Sequence, residues 1–309
     1  MVQKYSKQQK DEWDCFISNS KNGLFIFFRD YMEYHEDRFE DYSLLFYKKN
    51  KLTGVLPATR KGTTLISHGG LTFGSLILDR DARAADTLKL FEELLTFLQK
   101  EGFTEIIYKS IPFIFHKYTC QEDIYSLFRL NAQNYRTDIN SVIYIPNRIK
   151  FSESKRQSVS KCKQNKLLNI CESDNFSEYW NLLSDVLQKF SVSPTHSLKE
   201  MQLLRVRYPN NIKLFELREG KKLLSGIVVY DYGNVVHTQY MANSNEGRAL
   251  GGLDFLCDYL ITDLYNNREY FSFGISNEQN GKILNEGLIQ QKEMMGGRGV
   301  VHQFYQIVL

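Results

Sequence analysis

The chain has 309 residues, enough for two domains, and its formal net charge of only +3 gives no reason to expect a general nucleic-acid surface. Its five cysteines are scattered, odd in number and free of Cys-x-x-Cys spacing, which excludes a zinc ribbon or disulfide framework and indicates reduced thiols. No stretch approaches the roughly 20 apolar residues of a membrane span, and the polar residues 1–10 do not form a signal peptide, so we expect a soluble, cytoplasmic protein without a metal site.

The first half predicts alternating helices and strands. Apolar positions at helical spacing predict an amphipathic helix over 87–99, which stops at Gly102. The other predicted elements are a helix around Trp13, strands at 24–28, 42–47, 52–58, 105–109 and 141–145, a helix at 122–130, and a strand that breaks into a glycine loop at 65–74.

One short segment of this half is dense in polar and aromatic side chains. It carries Arg29, Asp30, His35 and Arg38 within ten residues or so of one another. Two interpretations stay open, because such a cluster either closes over a bound acceptor or lies on the surface.

The second half predicts a hairpin followed by a glycine loop. The apolar runs 223–230 and 235–242 flank the turn-rich residues 231–234. The small, glycine-bearing stretch 243–252 then enters a helix at Leu253, and a strand at 270–276, a helix at 281–292 and a strand at 299–308 follow. A strand that ends in a glycine loop before a helix offers backbone N–H groups and the positive end of a helix dipole, which suit a phosphate or pyrophosphate.

The order of elements in the first half repeats in the second. Residues 51–56 match 223–228, each as a strand with one glycine, and Ile66-Ser67-His68 matches Val235-Val236-His237. A glycine loop, a helix, a strand, a helix and a closing strand follow in both halves, offset by roughly one domain length. We therefore predict two domains, 1–150 and 173–309, joined by residues 151–172.

The joining segment is basic, with Lys155, Arg156, Lys161, Lys163 and Lys166 close together in the chain. Charge runs of this kind usually form a solvated helix, so we predict a basic connecting helix. The alternative is a surface for an anionic substrate or tRNA.

A strand, a glycine loop, a helix, a strand and a helix, in this order, resemble the GNAT N-acyltransferase superfamily. Two such units joined by a basic helix resemble the Fem-type aminoacyltransferases of that superfamily. The acyl-CoA loop of the superfamily follows Arg/Gln-x-x-Gly-x-Gly/Ala. In residues 246–251, Gly247 and Gly251 fit this pattern, while Glu246 stands in the place of the usual cation and Ala249 in that of a glycine. The register that begins at Arg248 keeps the arginine and the first glycine.

The resemblance implies an α/β fold of two tandem GNAT-like domains, each a central mixed sheet flanked by helices, with the second domain catalytic. It implies donor contacts at Gly247, Arg248, Gly251 and Gly252, and either acyl-CoA, such as acetyl-CoA, or aminoacyl-tRNA as donor. The acceptor would be an amine on a small molecule, a peptide or a bacterial cell-envelope precursor.

Acyl transfer in such a fold asks little of side chains. We expect the strand with His237 and the strand 270–276 to diverge, so that unpaired backbone groups hold the donor and stabilise the oxyanion. The acceptor amine needs a base, and the candidates are His237, Glu278 and His196. Each has a structural alternative: a packed histidine, a helix-initiating carboxylate, and a loop explained by a capping box between Ser197 and Glu200.

Three functions stay open at this point. They are an acyl-CoA-dependent N-acyltransferase, an aminoacyl-tRNA-dependent aminoacyltransferase of the peptidoglycan type, and a binding protein that has kept the fold and lost the donor site. We also expect Gly251→Asp to abolish donor binding and to leave the fold intact, because the carboxylate would occupy the phosphate position.

Overall fold

A computed structural model describes residues 1–309. The helices are α1 (Lys10–Asn19), α2 (Arg29–Met32), α3 (Ala84–Lys100), α4 (Glu122–Arg129), α5 (Glu153–Gln164), α6 (Phe176–Gln188), α7 (Leu198–Arg207), α8 (Asn245–Leu250), α9 (Gly252–Tyr259) and α10 (Glu286–Met294). The strands are β1 (Val2–Lys4), β2 (Glu40–Asp41), β3 (Leu44–Lys48), β4 (Lys51–Leu56), β5 (Thr59–Lys61), β6 (Thr64–Ile66), β7 (Ile77–Leu78), β8 (Glu105–Lys109), β9 (Gln133–Tyr144), β10 (Leu168–Ser173), β11 (Ile212–Glu219), β12 (Lys222–Asp231), β13 (Val235–Asn243), β14 (Tyr270–Ile275), β15 (Asn277–Glu278), β16 (Ile283–Leu284) and β17 (Arg298–Val308).

The chain divides into two compact units. The first contains residues 1–138, 279–283 and 301–309, and the second contains 139–278 and 284–300. The predicted connecting helix is α5, and it lies within the second unit. The C-terminal half of β17 lies in the first unit, so the last strand of the chain completes a sheet of the unit that begins it.

The first unit is built on two sheets. One has the order β1-β3-β4-β7, and the other runs β17-β8-β6-β5-β2 within this unit. Helix α3 forms as predicted because Leu90, Phe91, Leu94 and Leu98 recur on one face, and all four are buried in the core of this unit.

The prediction of a strand at residues 24–28 is wrong. Phe25–Phe27 forms a 3₁₀ helix in which all three side chains are buried. A short continuous apolar run does not distinguish a strand from a buried turn of helix. The turn is fixed by tertiary contacts, because the Trp13 indole N–H donates to Phe27 O at 2.8 Å.

The second unit is a mixed sheet between helices. Its strand order is β10-β11-β12-β13-β14-β9, and every neighbouring pair is antiparallel except β13 and β14. Alternate residues of β12 reach opposite faces: Ile227 and Val229 join a core with Leu256 of α9, whereas Gly226 lies against the Tyr179 ring of α6. The predicted α/β class with central mixed sheets flanked by helices is confirmed.

Each unit contains one parallel strand pair, and this is the structural form of the repeat. In the first unit, Thr64–Ile66 of β6 pairs with 105–107 of β8. In the second unit, 235–237 of β13 pairs with 270–272 of β14. These are the segments that the sequence matched to each other, so the repeat describes the sheets as well as the order of elements.

The predicted glycine loop is also partly wrong. Residues 245–250 form the short helix α8, capped by the Ser244 hydroxyl, which accepts a hydrogen bond from Gly247 N at 2.9 Å. Gly251, with φ of 75°, then separates α8 from α9. The prediction of a loop rested on the glycine content alone. A serine N-cap followed by residues that tolerate helix is enough to form a short helix in spite of that content.

No helix in the chain is both long and apolar enough to cross a bilayer.

Candidate active site in the second unit

The two parallel strands of the second unit part at a defined point. Pairing of β13 with β14 runs from Val235 and Tyr270 to His237 and Ser272 and does not continue beyond them. At the point of separation, Thr238 Oγ1 donates to Ser272 O at 3.4 Å. Beyond this point β13 extends to Asn243, paired only on its β12 side. We call this opening the fork.

A β-bulge lies on β13 at Gln239, two residues after His237. Val228 pairs with Tyr240 and Val229 pairs with Thr238, so Gln239 has no partner across the strand in β12. A bulge leaves the backbone of the extra residue outside the ladder and turns its polar groups in a new direction. The regular pairing of β13 with β12 is therefore interrupted where the fork opens.

His237 lies at the base of the fork. Its Nδ1 is 3.1 Å from Ser272 Oγ, across the last paired position of the two strands. Burial and the nearby ammonium of Lys292 lower the pKa of His237 to about 4, so the imidazole is neutral at physiological pH. A neutral imidazole can accept a proton, which is the property that a base at this position requires.

Lys292 of α10 supports the other side of the fork. Its Nζ donates to Gly274 O at 3.0 Å, to Ile275 O at 2.6 Å and to Ser276 Oγ at 3.0 Å. Gly274 has φ of 74°, which favours glycine, and a Cβ there would lie 3.3 Å from His237 Cε1. Burial lowers the pKa of Lys292 to about 8. This lysine satisfies two carbonyls at the point where β14 bends away from β13.

His196 reaches the same strand from the loop before α7. Its Nδ1 is 2.7 Å from Tyr240 Oη, and its backbone N–H donates to the same hydroxyl at 3.2 Å. The Tyr240 ring also packs edge-on against Trp180 of α6, with centroids 5.2 Å apart. The structure thus joins His196 to β13 beyond the bulge. The predicted capping box of Ser197 and Glu200 is present and accounts for the start of α7.

Glu278 lies in a different setting from the two histidines. It is exposed on β15, and its Oε1 accepts a hydrogen bond from Asn285 Nδ2 at 2.8 Å. Asn285 is the N-cap of α10, with its Oδ1 accepting from Leu288 N at 3.0 Å. Glu278 therefore has a structural contact at the start of the helix that carries Lys292.

The glycines at the end of β13 make close backbone contacts with neighbouring elements. A Cβ on Gly247 would lie 2.1 Å from Leu224 O, and one on Gly252 would lie 2.2 Å from Ser225 Oγ. A Cβ on Gly251 would lie 2.7 Å from Ser158 Cβ of α5. These glycines let α8 and α9 pack onto β12 and α5, whereas the side chain of Arg248 is exposed.

The corresponding point in the first unit is occupied by the chain itself. Gly74 N donates to Lys109 O at 3.1 Å, and Lys109 N donates to Ser67 Oγ at 2.7 Å. Gly74 lies so close to β6 that a Cβ would be 1.8 Å from Ser67 O. Residues after the first-unit glycine loop therefore fold back between the strands, and only the second unit has an open fork.

Solved structures resemble the whole chain, at low sequence identity. FemX superposes with a TM-score of 0.70 at 11% identity, covering 100% of this chain and 97% of that one. L-PGS from Bacillus licheniformis gives 0.63 at 12% identity, with coverage of 98% and 92%. A tandem GNAT protein from the clavulanic acid biosynthesis pathway gives 0.52 at 9% identity, with coverage of 99% and 97%.

The chain has the Fem-like tandem GNAT fold. No family model and no curated protein matches it. The resemblance inferred from the sequence is thereby confirmed at the level of fold. At identities of 8–12%, the resemblance is one of fold.

Three features of the candidate site were not predicted from the sequence. Lys292 was taken only as the end of a predicted helix, Ser272 as a strand residue, and the bulge at Gln239 was not predicted. Lys292 stands between Gln291 and Glu293, so the local sequence carries no signal for a buried cation. The bulge leaves no mark in the sequence because it is set by the register of two strands.

Proposed function

We propose that the chain is an N-acyltransferase that moves an acyl or aminoacyl group directly from an activated donor to an amine acceptor, with the chemistry in the second unit. The observation that carries the proposal is the open fork between β13 and β14, with a neutral histidine at its base. The closed strand pair of the first unit supports the choice of unit.

The reaction follows from the backbone of the fork. The donor lies along the free edge of β13, in the manner of an added strand. The backbone N–H of Gln239, the residue at the bulge, donates to the carbonyl oxygen of the donor as negative charge develops on it in the tetrahedral intermediate. The amine forms the new C–N bond, and the thiolate or the tRNA ribose oxygen leaves with the electrons of the broken bond.

The proton of the attacking amine goes to a base. His237 is the base that we propose, because it is neutral and lies at the last paired position of the fork. The lowered pKa keeps the imidazole unprotonated at physiological pH, so its nitrogen is free to accept this proton as the intermediate forms. We propose His196, held by Tyr240, as a positioning residue, and Glu278 as an alternative base at the rim.

The donor is either acyl-CoA or aminoacyl-tRNA, and the glycine contacts favour the second. Gly247, Gly251 and Gly252 were predicted donor contacts, yet each is pressed against a neighbouring element, which leaves little room for a pyrophosphate. Glu246, in the place of the usual cation, is exposed and paired with Lys222 Nζ at 2.9 Å, so it supplies no positive charge for a phosphate. We keep Arg248, which is exposed, as the proposed donor contact.

The name of one structural neighbour is consistent with this choice. This neighbour is the C-terminal domain of a putative lysylphosphatidylglycerol synthetase from Agrobacterium fabrum, with a TM-score of 0.62 at 11% identity. We extend to this chain only the class of reaction, aminoacyl transfer, and we propose a small-molecule or cell-envelope amine as acceptor.

Transfer of radiolabel tests the proposal. Wild-type protein is incubated with labelled acetyl-CoA or with labelled aminoacyl-tRNA and a panel of amine acceptors. We expect label in the acceptor with one donor, and a rate at least about 100-fold lower for His237→Gln, as for loss of a general base. The matched control is His116→Gln in the first unit, where burial also lowers the histidine pKa to about 4. Transfer at equal rates by the two variants would exclude His237 as the base, and no transfer from either donor would favour a binding protein.

A further inference from the structure

The second unit contains a strongly basic segment in spite of the small net charge of the chain. Residues 148–166 include seven lysines and arginines and one glutamate, a net charge of +6, whereas the whole chain carries +3. The rest of the chain is therefore acidic on balance, and the positive charge is concentrated on α5 and on the residues just before it. The reaction proposed above uses none of these side chains.

Only two of the seven cations are paired with a carboxylate. Lys155 Nζ lies 2.7 Å from Asp254 Oδ1, and Lys163 Nζ lies 2.7 Å from Asp258 Oδ2, so these pairs join α5 to α9. Like charges on one surface repel each other, and that repulsion lowers stability until an anion binds. The five cations that are exposed and make no ion pair are Arg148, Lys150, Arg156, Lys161 and Lys166.

An open groove of about 410 Å³ lies beside α5. Phe151 and Val159 provide its buried apolar base, and its one carboxylate, Asp258, is already paired with Lys163. Arginine, lysine, serine and glutamine are side chains through which proteins contact the phosphate oxygens of nucleic acids. The four side chains of α5 that line the groove are of these types, and all are exposed: Arg156, Ser160, Lys163 and Gln164.

The apolar residues of α5 favour RNA over an anionic membrane as the partner. A helix that lies on a membrane presents an apolar face to the acyl chains. The apolar residues Val159 and Cys162 of α5 are buried in the second unit, so the exposed surface of the helix is polar. The exposed apolar residues nearby, Ile149 and Leu167, lie beyond the two ends of the helix and form no continuous face with it.

Helix α5 also lies next to the helix that carries the proposed donor contact. Cys162 Sγ donates to Leu250 O of α8 at 3.2 Å, and a Cβ on Gly251 would lie 2.7 Å from Ser158 Cβ. Arg248 of α8 is exposed, and α8 follows β13 directly. An RNA whose acylated end lies along β13 can therefore extend past α8 to α5.

We propose that residues 148–166, which we call the basic surface, bind the phosphate backbone of a tRNA. The groove beside α5 holds phosphate groups through Arg156, Ser160 and Lys163, and the other exposed cations contact phosphates on either side. That this tRNA is the acyl donor rests on the proposed function. Binding of uncharged tRNA does not, because it requires no acyl group and no transfer.

Fluorescence anisotropy of labelled, uncharged tRNA with the full-length protein tests the basic surface at several salt concentrations. We expect a Kd on the order of 1–10 μM or tighter at physiological salt. The logarithm of Kd should rise linearly with the logarithm of the salt concentration, with a slope of about 3–5, because each neutralised phosphate contributes about 0.9. Absence of tRNA binding would overturn the proposal.

The double variant Arg156→Gln/Lys166→Gln locates the binding. We expect a Kd at least about tenfold higher and a salt slope lower by about 2, one for each lost phosphate contact. The matched control is Lys89→Gln/Lys100→Gln, which removes the same charge from exposed lysines of α3 in the first unit and should change neither quantity. Equal weakening by the two double variants would show that net charge alone is responsible and would contradict the basic surface.

Two further measurements separate this proposal from its alternatives. Lys166→Gln alone, at an exposed residue after the helix, should give about half of the slope change, and it decides the matter if the double variant has a lower Tm. If Arg156→Gln/Lys166→Gln lost binding to phosphatidylglycerol vesicles and kept its affinity for tRNA, the surface would be one for membranes and the proposal would be wrong.

The outcome is also distinguishable from that of the proposed function. Acyl transfer from acetyl-CoA by a protein that does not bind tRNA would overturn this inference and leave the acyltransferase standing. Binding of tRNA through the basic surface without transfer from either donor would support this inference and contradict the proposed function.

Discussion

Lys292 is the residue on which the shape of the fork depends. Its ammonium satisfies the carbonyls of Gly274 and Ile275, which β14 exposes as it bends. Three oxygen acceptors stabilise the charge, and burial still lowers the pKa of Lys292 to about 8. The cationic charge in turn contributes to the low pKa of His237. One lysine therefore acts on both the geometry and the protonation state at the fork.

The first prediction concerns the pH dependence that this lysine adds to stability. An unfolded lysine keeps its proton up to a pKa near 10.5, whereas the folded one releases it near pH 8. Between these values the unfolded state binds more protons, so the free energy of unfolding rises with pH. We expect wild type to gain up to about 3 kcal/mol relative to Lys292→Met between pH 8 and 10.5.

Urea denaturation of both proteins across this pH range measures the difference. Lys282→Met is the control, since it removes an exposed lysine without uncovering buried carbonyls. A wild-type advantage over Lys292→Met that does not change with pH would contradict the shifted pKa of Lys292.

At the scale of elements, the close contact of α9 with α5 changes what the glycine stretch is expected to do. Gly251 lies against Ser158 in a left-handed conformation, so an aspartate would clash with α5 before it met any donor. We therefore expect Gly251→Asp to destabilise the fold, in contrast to the expectation from the sequence that it leaves the fold intact.

The second prediction is that Gly251→Asp destabilises the protein by more than Gly220→Asp. Both glycines have positive φ, of 75° and 57°, so both substitutions carry similar backbone strain. A Cβ on Gly220 meets nothing within 4 Å, so only Gly251→Asp adds overpacking, of about 1–3 kcal/mol. Thermal unfolding compares the two variants, and equal Tm values would exclude close packing of α9 on α5.

The elements that local pattern determines were predicted well, and those that tertiary contact determines were not. The hairpin of β12 and β13 follows from alternating apolar runs around a turn, and α3 follows from its apolar spacing. The turn at 25–27 depends on the distant Trp13, and the bulge at Gln239 depends on strand register. His237 could be singled out as a polar residue on an apolar strand. Its contact with Ser272 joins strands separated by a helix and could not be predicted.

At the scale of the whole molecule, buried neutral histidines set the response to acid. Burial lowers the pKa of His116 and His237 to about 4 and that of His302 to about 3. As pH falls below 6.5, the unfolded chain takes up protons that the folded histidines refuse, so stability falls. Asp123, whose pKa is raised to about 6 by burial, acts in the opposite direction but is a single group.

The third prediction follows from this balance. The free energy of unfolding should fall by several kcal/mol, on the order of 5, between pH 6.5 and 4.5. His302→Phe should reduce the slope, because His302 packs between Phe73 and Phe304 at 5.2 and 4.3 Å and its Nε2 has no partner. Urea titrations at several pH values provide the measurement, and stability that is constant or rises on acidification would contradict the account.

The fork between β13 and β14 is tested most directly by hydrogen–deuterium exchange with and without a donor. Acetyl-CoA and aminoacyl-tRNA are added in turn to the full-length protein, and exchange is followed by mass spectrometry. A donor that lies along the free edge of β13 should slow exchange of peptides covering 238–243 and 273–275. Peptides covering 64–75, where the first-unit strands are closed, should be unaffected. If neither donor slows exchange at the fork, or if protection appears only in 64–75, the proposed site in the second unit is wrong.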